Sequence, residues 1–471
     1  MVRELALETD YLVVGSGALG MAFVDSLLEH SDADVVMVDR RHCPGGHWLD
    51  AYPFVRLHQP SRYYGVDSTV LGQDRIERDG PEAGWYERAS GSEICGYYDE
   101  LMSRRFLTSG QVRFFPMSNY LGERRFASLV AGTVTNVVVR KAVVDATYFA
   151  TRVPATDPPP FDVAAGMRCV PVGELAALAG APAGYVILGG GKTAMDAICW
   201  LLDCGCDPHA ITWIRPRDNW LLNRDFFQPG RARTLDGVVA LLEAMVVASS
   251  VDETYLLLEE AGVMLRTDTT ATPTMMKGAT VSVHEIEQLR RVEDVVRLGH
   301  VEHIEADRIV LERGSVSTTP EHLHVHCATR GLADNPLRPI FGDETITLQL
   351  VTRMSLSLSG ALLGVVESSG RTTEDKNRLC PPTAWPHTPF DYLRAILAGI
   401  NAESGWLDAP DVQAFVDSSR LNLLSGLGTS DDAEDIAALQ TRLFTALGPA
   451  FEKLRAFAEA ATPQERARSF Q

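Results

Sequence analysis

The sequence predicts an α/β fold: two strand–glycine loop–helix–strand units followed by a helical tail. Three observations predict it. A β-rich run, Tyr11-Leu-Val-Val14, meets a glycine loop, Gly15-Ser-Gly-Ala-Leu-Gly20, with no residue between them. The same grammar returns 174 residues later, where Tyr185-Val-Ile-Leu188 meets Gly189-Gly-Gly-Lys-Thr-Ala194. From Phe390 onward the apolar spacing is helical to the end. A continuous apolar strand that runs straight into a glycine turn and a helix opens a βαβ unit, whose parallel strands are buried on both faces.

In the first unit Met21 to His30 reads as the helix, and Val35-Val-Met-Val38 as a second buried strand ending at Asp39. Gly96 to Leu107 is a further helix. Arg125 to Thr147 is rich in β-branched residues and is expected to form a meander turned at Gly132 and at Arg140-Lys141. Ala155 to Asp162 contains a run of prolines that neither a helix interior nor a central strand tolerates, so it marks the crossing into the second unit. There Met195 to Asp203 is the helix and Ile211-Thr-Trp-Ile214 the next strand, ending at Arg215. Leu235 to Gly262 is helical, and Val281 to Glu312 alternates short strands with charged turns. Leu323 to Ala328 is a buried strand expected to mark the return to the first domain, and Ala361 to Glu367 a helix entered from Ser357 and Ser359. The expected division is 1–175 and 319–400 for one domain, 176–318 for a domain inserted into it, and 401–471 for the tail.

Composition narrows the function. Lys plus Arg is 43 against 62 for Asp plus Glu, a net charge of −19 that phosphate backbones repel, so nucleic acid is not an expected partner. The longest apolar stretch, Val238 to Ala248, is short and broken by Glu243, so no membrane span is expected. Met1 to Asp10 carries Arg3, Glu4, Glu8 and Asp10 where a signal peptide would be apolar. Eight scattered cysteines fit a reducing cytoplasm rather than a disulfide scaffold.

The glycine loops carry the chemistry. Glycines permit the tight turn and let backbone N–H groups approach a pyrophosphate, while the following helix presents its positive dipole end. Gly15, Gly17 and Gly20, with Ala18 and Leu19 between them, fit this pattern, and Asp39 lies 24 residues beyond Gly15 at the next strand's end. A carboxylate there accepts ribose hydroxyls and repels a 2′-phosphate, as FAD or NAD requires. Gly189, Gly191 and Ala194 repeat the pattern, with Lys192 and Thr193 inside it, but the next strand ends in Arg215, and Arg217 follows. A guanidinium at that place pairs with a 2′-phosphate, a preference for NADPH. The two units are thus read as Rossmann-like dinucleotide-binding domains, FAD in the first and NADPH in the second, arranged to pass hydride from nicotinamide to flavin.

Asp39 to Trp48, which includes Arg40, Gly45, Gly46, His47 and Trp48, resembles the acid–x5–Gly-Gly–x–Trp signature of the flavin-containing and Baeyer–Villiger monooxygenases. Gly189 to Asp196 is similar to that family's NADPH loop. The resemblance covers about residues 10–65 and 185–220 and makes the chain an outlying branch. The family's Phe-x-Gly-x3-His fingerprint is missing, and Tyr148 to Pro171 holds no His. It implies an FAD domain with an inserted NADPH domain. It also implies a monooxygenase that uses O₂ through a flavin C4a-(hydro)peroxide to oxygenate a small organic molecule such as an amine, sulfide, ketone or activated carbon.

Within Arg56-Leu-His-Gln-Pro60, His58 and Gln59 are the candidate catalytic groups at the flavin edge, and Trp48 is expected to pack over that edge. Cys199 and Cys204 have a redox-like spacing, but five helical positions turn through about 500°, which places them on diverging faces. Cys43 has no partner nearby in sequence, so disulfide catalysis is not expected. His322, His324 and His326 share one face of a strand, yet neighbours on that face lie about 6.6 Å apart, too far to converge on one ion, so no metal is expected. Cys327 to Gly331 is expected to close over FAD. The helix near Gly360 is expected to point its positive end at the flavin. The residues also leave open an NADPH-dependent flavin oxidase or reductase without oxygen transfer, and a non-catalytic nucleotide-binding flavoprotein. A homodimer is compatible with the sequence but nothing in it specifies one.

Overall fold

The computed structural model describes residues 4–230, 232–329, 331–427 and 433–460. The first sheet is built around the strand Glu4–Val14. On one side lie Val35–Val38 and Val112–Phe115, and on the other Val134–Asp145, all parallel to it. Arg125–Ser128 and Ser118–Gly122 extend this edge antiparallel, which makes the expected meander. Tyr11, Leu12 and Val13 are all but fully buried, as an apolar run covered on both faces requires.

The expected turn at Arg140-Lys141 does not exist. Val134–Asp145 runs through it as one strand, and the two residues form a bulge opposite Asp10, where the register with Glu4–Val14 shifts. Arg140 spans the bulge to Glu8 at 2.8 Å and Asp10 at 2.9 Å, so its charge answers a cross-strand pair rather than a turn.

Helix Ala18–His30 covers one face of the sheet, and helix Leu356–Ser368 packs against it. Glycine makes this approach feasible. A Cβ on Gly360 would stand 2.8 Å from the Leu19 carbonyl oxygen, and one on Gly364 would stand 2.5 Å from that of Phe23.

The second sheet is wholly parallel, in the order Val295–Val296, Ile211–Ile214, Gly184–Leu188, His322–His326, Arg168–Pro171. Strand His322–His326 therefore does not return to the first sheet; it pairs with Gly184–Leu188. The strand that does return is Thr345–Thr347, which pairs with the end of Val134–Asp145 and is too short to carry a pattern. This sheet takes strands from both sides of the expected 176–318 segment, at 168–171 and 322–326. Helix Lys192–Asp203 covers the face built from Ile187, Trp213, Leu323 and Val325.

Two further readings change. Val283–Arg290 is a helix where strands and turns were expected, opened by a capping box between Ser282 and Glu285. The stretch 235–262 splits into Ala232–Val247 and Val251–Glu260, the second capped by Ser250. The tail is not an appendage: its Ala450 and Phe457 join a third core with Trp220, Leu242, Tyr255, Tyr392 and Leu393. Its expected helical end, residues 461–471, lies outside the described residues. Among the described residues no helix is long and apolar enough to cross a membrane.

Candidate functional site

The first loop lies where strand Glu4–Val14 ends. Gly15 adopts φ +100°, open to glycine but costly for other residues. A Cβ on Gly20 would stand 2.3 Å from the Gly15 carbonyl oxygen, so strand and helix meet there only through glycine. Gly45 and Gly46 also have positive φ, and a Cβ on Gly46 would lie 3.0 Å from the Gly17 Cα. The Gly45 N–H donates to the Ser16 carbonyl at 3.0 Å. The two glycine runs, 25 or more residues apart in sequence, thus form one surface of bare backbone.

Both loop helices begin without a side-chain cap, Ala18–His30 at Gly17 and Lys192–Asp203 at Gly191. The first helical bonds are Met21 N–H to Gly17 and, in the second helix, Ala194 and Met195 N–H to Gly191, so Ala18, Leu19, Lys192 and Thr193 offer amides with no acceptor inside their own helix. Neither helix has an acid in its first turn. The helices that open at Ser90, Ser250, Ser282 and Thr388 have both a hydroxyl cap and a first-turn acid. The bare positive ends are chemically suited to an anion.

Asp39 is buried at the end of its strand and accepts from the Ser16 amide at 2.7 Å, the Ser16 hydroxyl at 2.8 Å and the Arg41 amide at 2.9 Å. It therefore clamps the loop, with lone pairs left over for a further donor. Arg40 is exposed beside it. Trp48 donates its Nε1–H to the Tyr64 hydroxyl at 2.5 Å and packs partly into the first core. His47 lies against Trp48, with ring centroids 5.1 Å apart. Burial, aided by the Arg41 charge, pushes His47 down to about 4.

Two of the three cations expected at the second loop, Lys192 and Arg215, are held by acidic partners. Arg215 is 2% exposed, stacks over Trp213 at 4.4 Å and pairs with Asp218 at 2.9 Å. It also donates to Thr267. Burial lowers its pKa to about 10, against the pull of Asp218. Trp213 in turn donates to the Gly189 carbonyl at 2.7 Å, so Arg215 supports the loop from beneath. Arg217 is exposed beside it. Lys192 is paired with Asp196 and, at 3.2 Å, with Glu285.

His58 sits where the two units meet. Arg224 is buried there, donates to the His58 carbonyl at 2.7 Å, and pairs with Glu82 and, at 2.6 Å, with Glu285. Burial, then the Lys192 charge, pushes the His58 imidazole down to about 3, so it is neutral at any working pH. Burial opposes ionisation of Glu285, but Lys192 and Arg224 outweigh it and hold that carboxyl far below its usual range. For Lys192 burial opposes the charge, and Asp196 and Glu285 reverse the balance and raise its pKa. The side chains of His58 and Gln59 make no hydrogen bond among the described residues.

Residues 45–58 join the two loops. At one end lie Gly45 and Gly46 on the first loop; at the other, Tyr52 donates to Asp196 at 2.6 Å and Phe54 stacks on Trp200 at 4.7 Å. Tyr52, Arg224 and Glu285 are missing from the sequence reading. Only Glu285 left a signal, its place three residues after Ser282 in a capping box.

Other expectations are corrected. The Cys327 backbone packs on Gly189 of the second loop, while the Gly331 carbonyl accepts from the Arg152 amide at 2.8 Å; Arg330 between them lies outside the described residues. The helix expected near Gly360 is Leu356–Ser368, and the Ser355 hydroxyl accepts from one of its first-turn amides, that of Leu358, at 3.2 Å. His324 bonds Thr318 and the Arg168 carbonyl, and His326 packs edge-on to Phe161, so these histidines line the second sheet instead of the first unit. Among the described residues no group of three or more His, Cys, Asp or Glu is arranged to hold a metal. All eight cysteines are unpaired; Cys43 has Cys95 for a neighbour, but burial raises the pKa of both thiols.

No family model matches the chain. Over 424 residues it is 45% identical to the uncharacterized protein Rv2000 of Mycobacterium tuberculosis, spanning 89% of this chain and 79% of that protein. The uncharacterized protein Mb2023 of Mycobacterium bovis gives the same identity and coverage. Among solved structures, a flavin monooxygenase from Stenotrophomonas maltophilia aligns with 78% of this chain and 100% of its own, at 14% identity and TM-score 0.48. The polycyclic ketone monooxygenase of Thermothelomyces thermophila aligns with 94% of this chain and 88% of its own, at 11% identity and TM-score 0.48.

Proposed function

The chain belongs to one family with the mycobacterial proteins Rv2000 and Mb2023, and for this member we propose an FAD- and NADPH-dependent monooxygenase that oxygenates a small organic molecule. The observation that carries the reading is the pair of uncapped glycine-loop helices, each following a parallel strand of its own sheet, joined by residues 45–58. Ligands of open α/β sheets bind outside the carboxyl ends of the strands, where these two loops lie.

The first site fits FAD by its donor set. Amides at Ala18 and Leu19 and the bare Gly17–Gly46 surface would hold the diphosphate, and Asp39 has acceptor capacity left for a ribose hydroxyl. When bound, FAD supplies a ring that accepts hydride from NADPH and delivers electrons to O₂. The second loop fits a nucleotide diphosphate at the amides of Lys192 and Thr193, with Gly189 and Gly191 giving access. Arg217 is exposed just beyond the strand that follows the second loop, where a 2′-phosphate would lie, so we assign the 2′-phosphate preference to it, and a supporting role to the buried Arg215.

His58 and Gln59 would border the reacting edge. His58 stays neutral, so it offers one ring N–H and one acceptor nitrogen without adding charge. Gln59 offers an amide, and Trp48 an apolar wall that excludes water. The experiment is a balance of NADPH and O₂ consumed against product formed over a panel of amines, sulfides and ketones. Product in proportion to NADPH with one substrate class supports the proposal. Consumption that yields only hydrogen peroxide across the panel overturns oxygen transfer and leaves a flavin oxidase.

A further inference from the structure

Resting on that two-cofactor reading, we propose that Tyr52 is a positioning residue that couples the two nucleotide sites. Tyr52 belongs to the segment that leaves the Gly45–Gly46 surface, yet its hydroxyl is bound to Asp196, one turn inside the helix that opens the second loop. The Thr193 hydroxyl lies beside the same phenol. Asp196 also holds Lys192, the first residue of that helix. This hydroxyl and carboxylate give a movement of residues 45–50 on filling the first site a direct hydrogen-bonded route to the first residue of the second loop's helix.

The packing is separable from the bond. The Tyr52 ring leans on Phe54 at 4.9 Å, and Phe54 stacks on Trp200. A phenylalanine at position 52 keeps the ring and its neighbours and removes only the oxygen. Binding that orders one end of a shared segment lowers the ordering cost at the other, and the effect is reciprocal. FAD is thus expected to tighten the pyridine nucleotide, and the pyridine nucleotide FAD, by one common factor.

The test is calorimetric titration of the full chain with NADP⁺, with and without saturating FAD. The expected result is at least fivefold tighter NADP⁺ binding in the presence of FAD. In Tyr52→Phe the factor falls below twofold while each ligand alone still binds. Phe54→Leu serves as the packing control: it lowers the melting temperature and keeps the coupling. Independent binding of both ligands in the unaltered chain, or undiminished coupling in Tyr52→Phe, overturns the inference and leaves the two-cofactor reading standing. A chain that binds neither ligand overturns both.

Discussion

Asp39 accepts two hydrogen bonds from Ser16, one from its amide at 2.7 Å and one from its hydroxyl at 2.8 Å. The acid read in the sequence as a ribose ligand is therefore first a clamp on the glycine loop. Asp39→Ala should lose both roles. Breaking these charge-assisted bonds destabilises the fold by about 2 kcal/mol, and flavin content of the purified protein should fall with it. Ser16→Ala, which removes one donor and leaves the carboxylate, should retain flavin. Equal flavin occupancy in Asp39→Ala and the unaltered chain would contradict the assignment.

Arg215 and Arg217 are expected to separate cleanly. Arg215→Ala uncovers Trp213 and leaves Asp218 with Arg297 as its remaining partner, and loss of one charged hydrogen bond costs about 1.5–3 kcal/mol. Its Michaelis constants for NADPH and NADH should shift alike. Arg217→Ala should weaken NADPH selectively and leave the Michaelis constant for NADH nearly unchanged. An NADPH-specific defect in Arg215→Ala instead would return the phosphate contact to that residue.

Acid should loosen the junction. His58 and His47 have folded-state values of about 3 and about 4, below the usual 6.5. The unfolded chain thus takes up their protons first, and stability falls as pH drops below 6.5 toward those values. Glu285, also depressed, adds its own loss below its unfolded value of 4.5. Urea midpoints at pH 7.5 and 5.5 should differ, and His58→Gln should remove about 1 kcal/mol of the difference. A midpoint that does not change with pH would show that the histidines are solvated.

Gly46→Ala places a Cβ 3.0 Å from the Gly17 Cα at a residue with φ +60°. The strain costs about 1 kcal/mol, small enough for the chain to fold. Flavin retention should nonetheless drop, because the methyl stands on the bare surface between the loops. Full flavin content in that variant would remove this surface from the cofactor site.

The sequence made the two βαβ units legible because glycine loops, buried strands and terminal charges are local signals. What it hid was pairing over distance. His322–His326 has the same apolar face as any buried parallel strand, and nothing local says which sheet it joins. Thr345–Thr347, the strand that does return, is three residues long. Arg140-Lys141 looked like a turn because its partners, Glu8 and Asp10, lie on another strand. At the site, Arg215 reads as a phosphate ligand until Asp218 and Trp213 are seen to enclose it. Tyr52 and Arg224 gave no sign, since each acts on a residue more than a hundred positions away.

The central claim is that electrons pass between two different dinucleotides held by this one chain. The direct measurement is the visible spectrum of the FAD-reconstituted protein before and after anaerobic NADPH. The account predicts a yellow protein whose flavin bands bleach within the mixing of one equivalent of NADPH. A colourless protein, or a yellow one whose spectrum NADPH leaves unchanged, would contradict it.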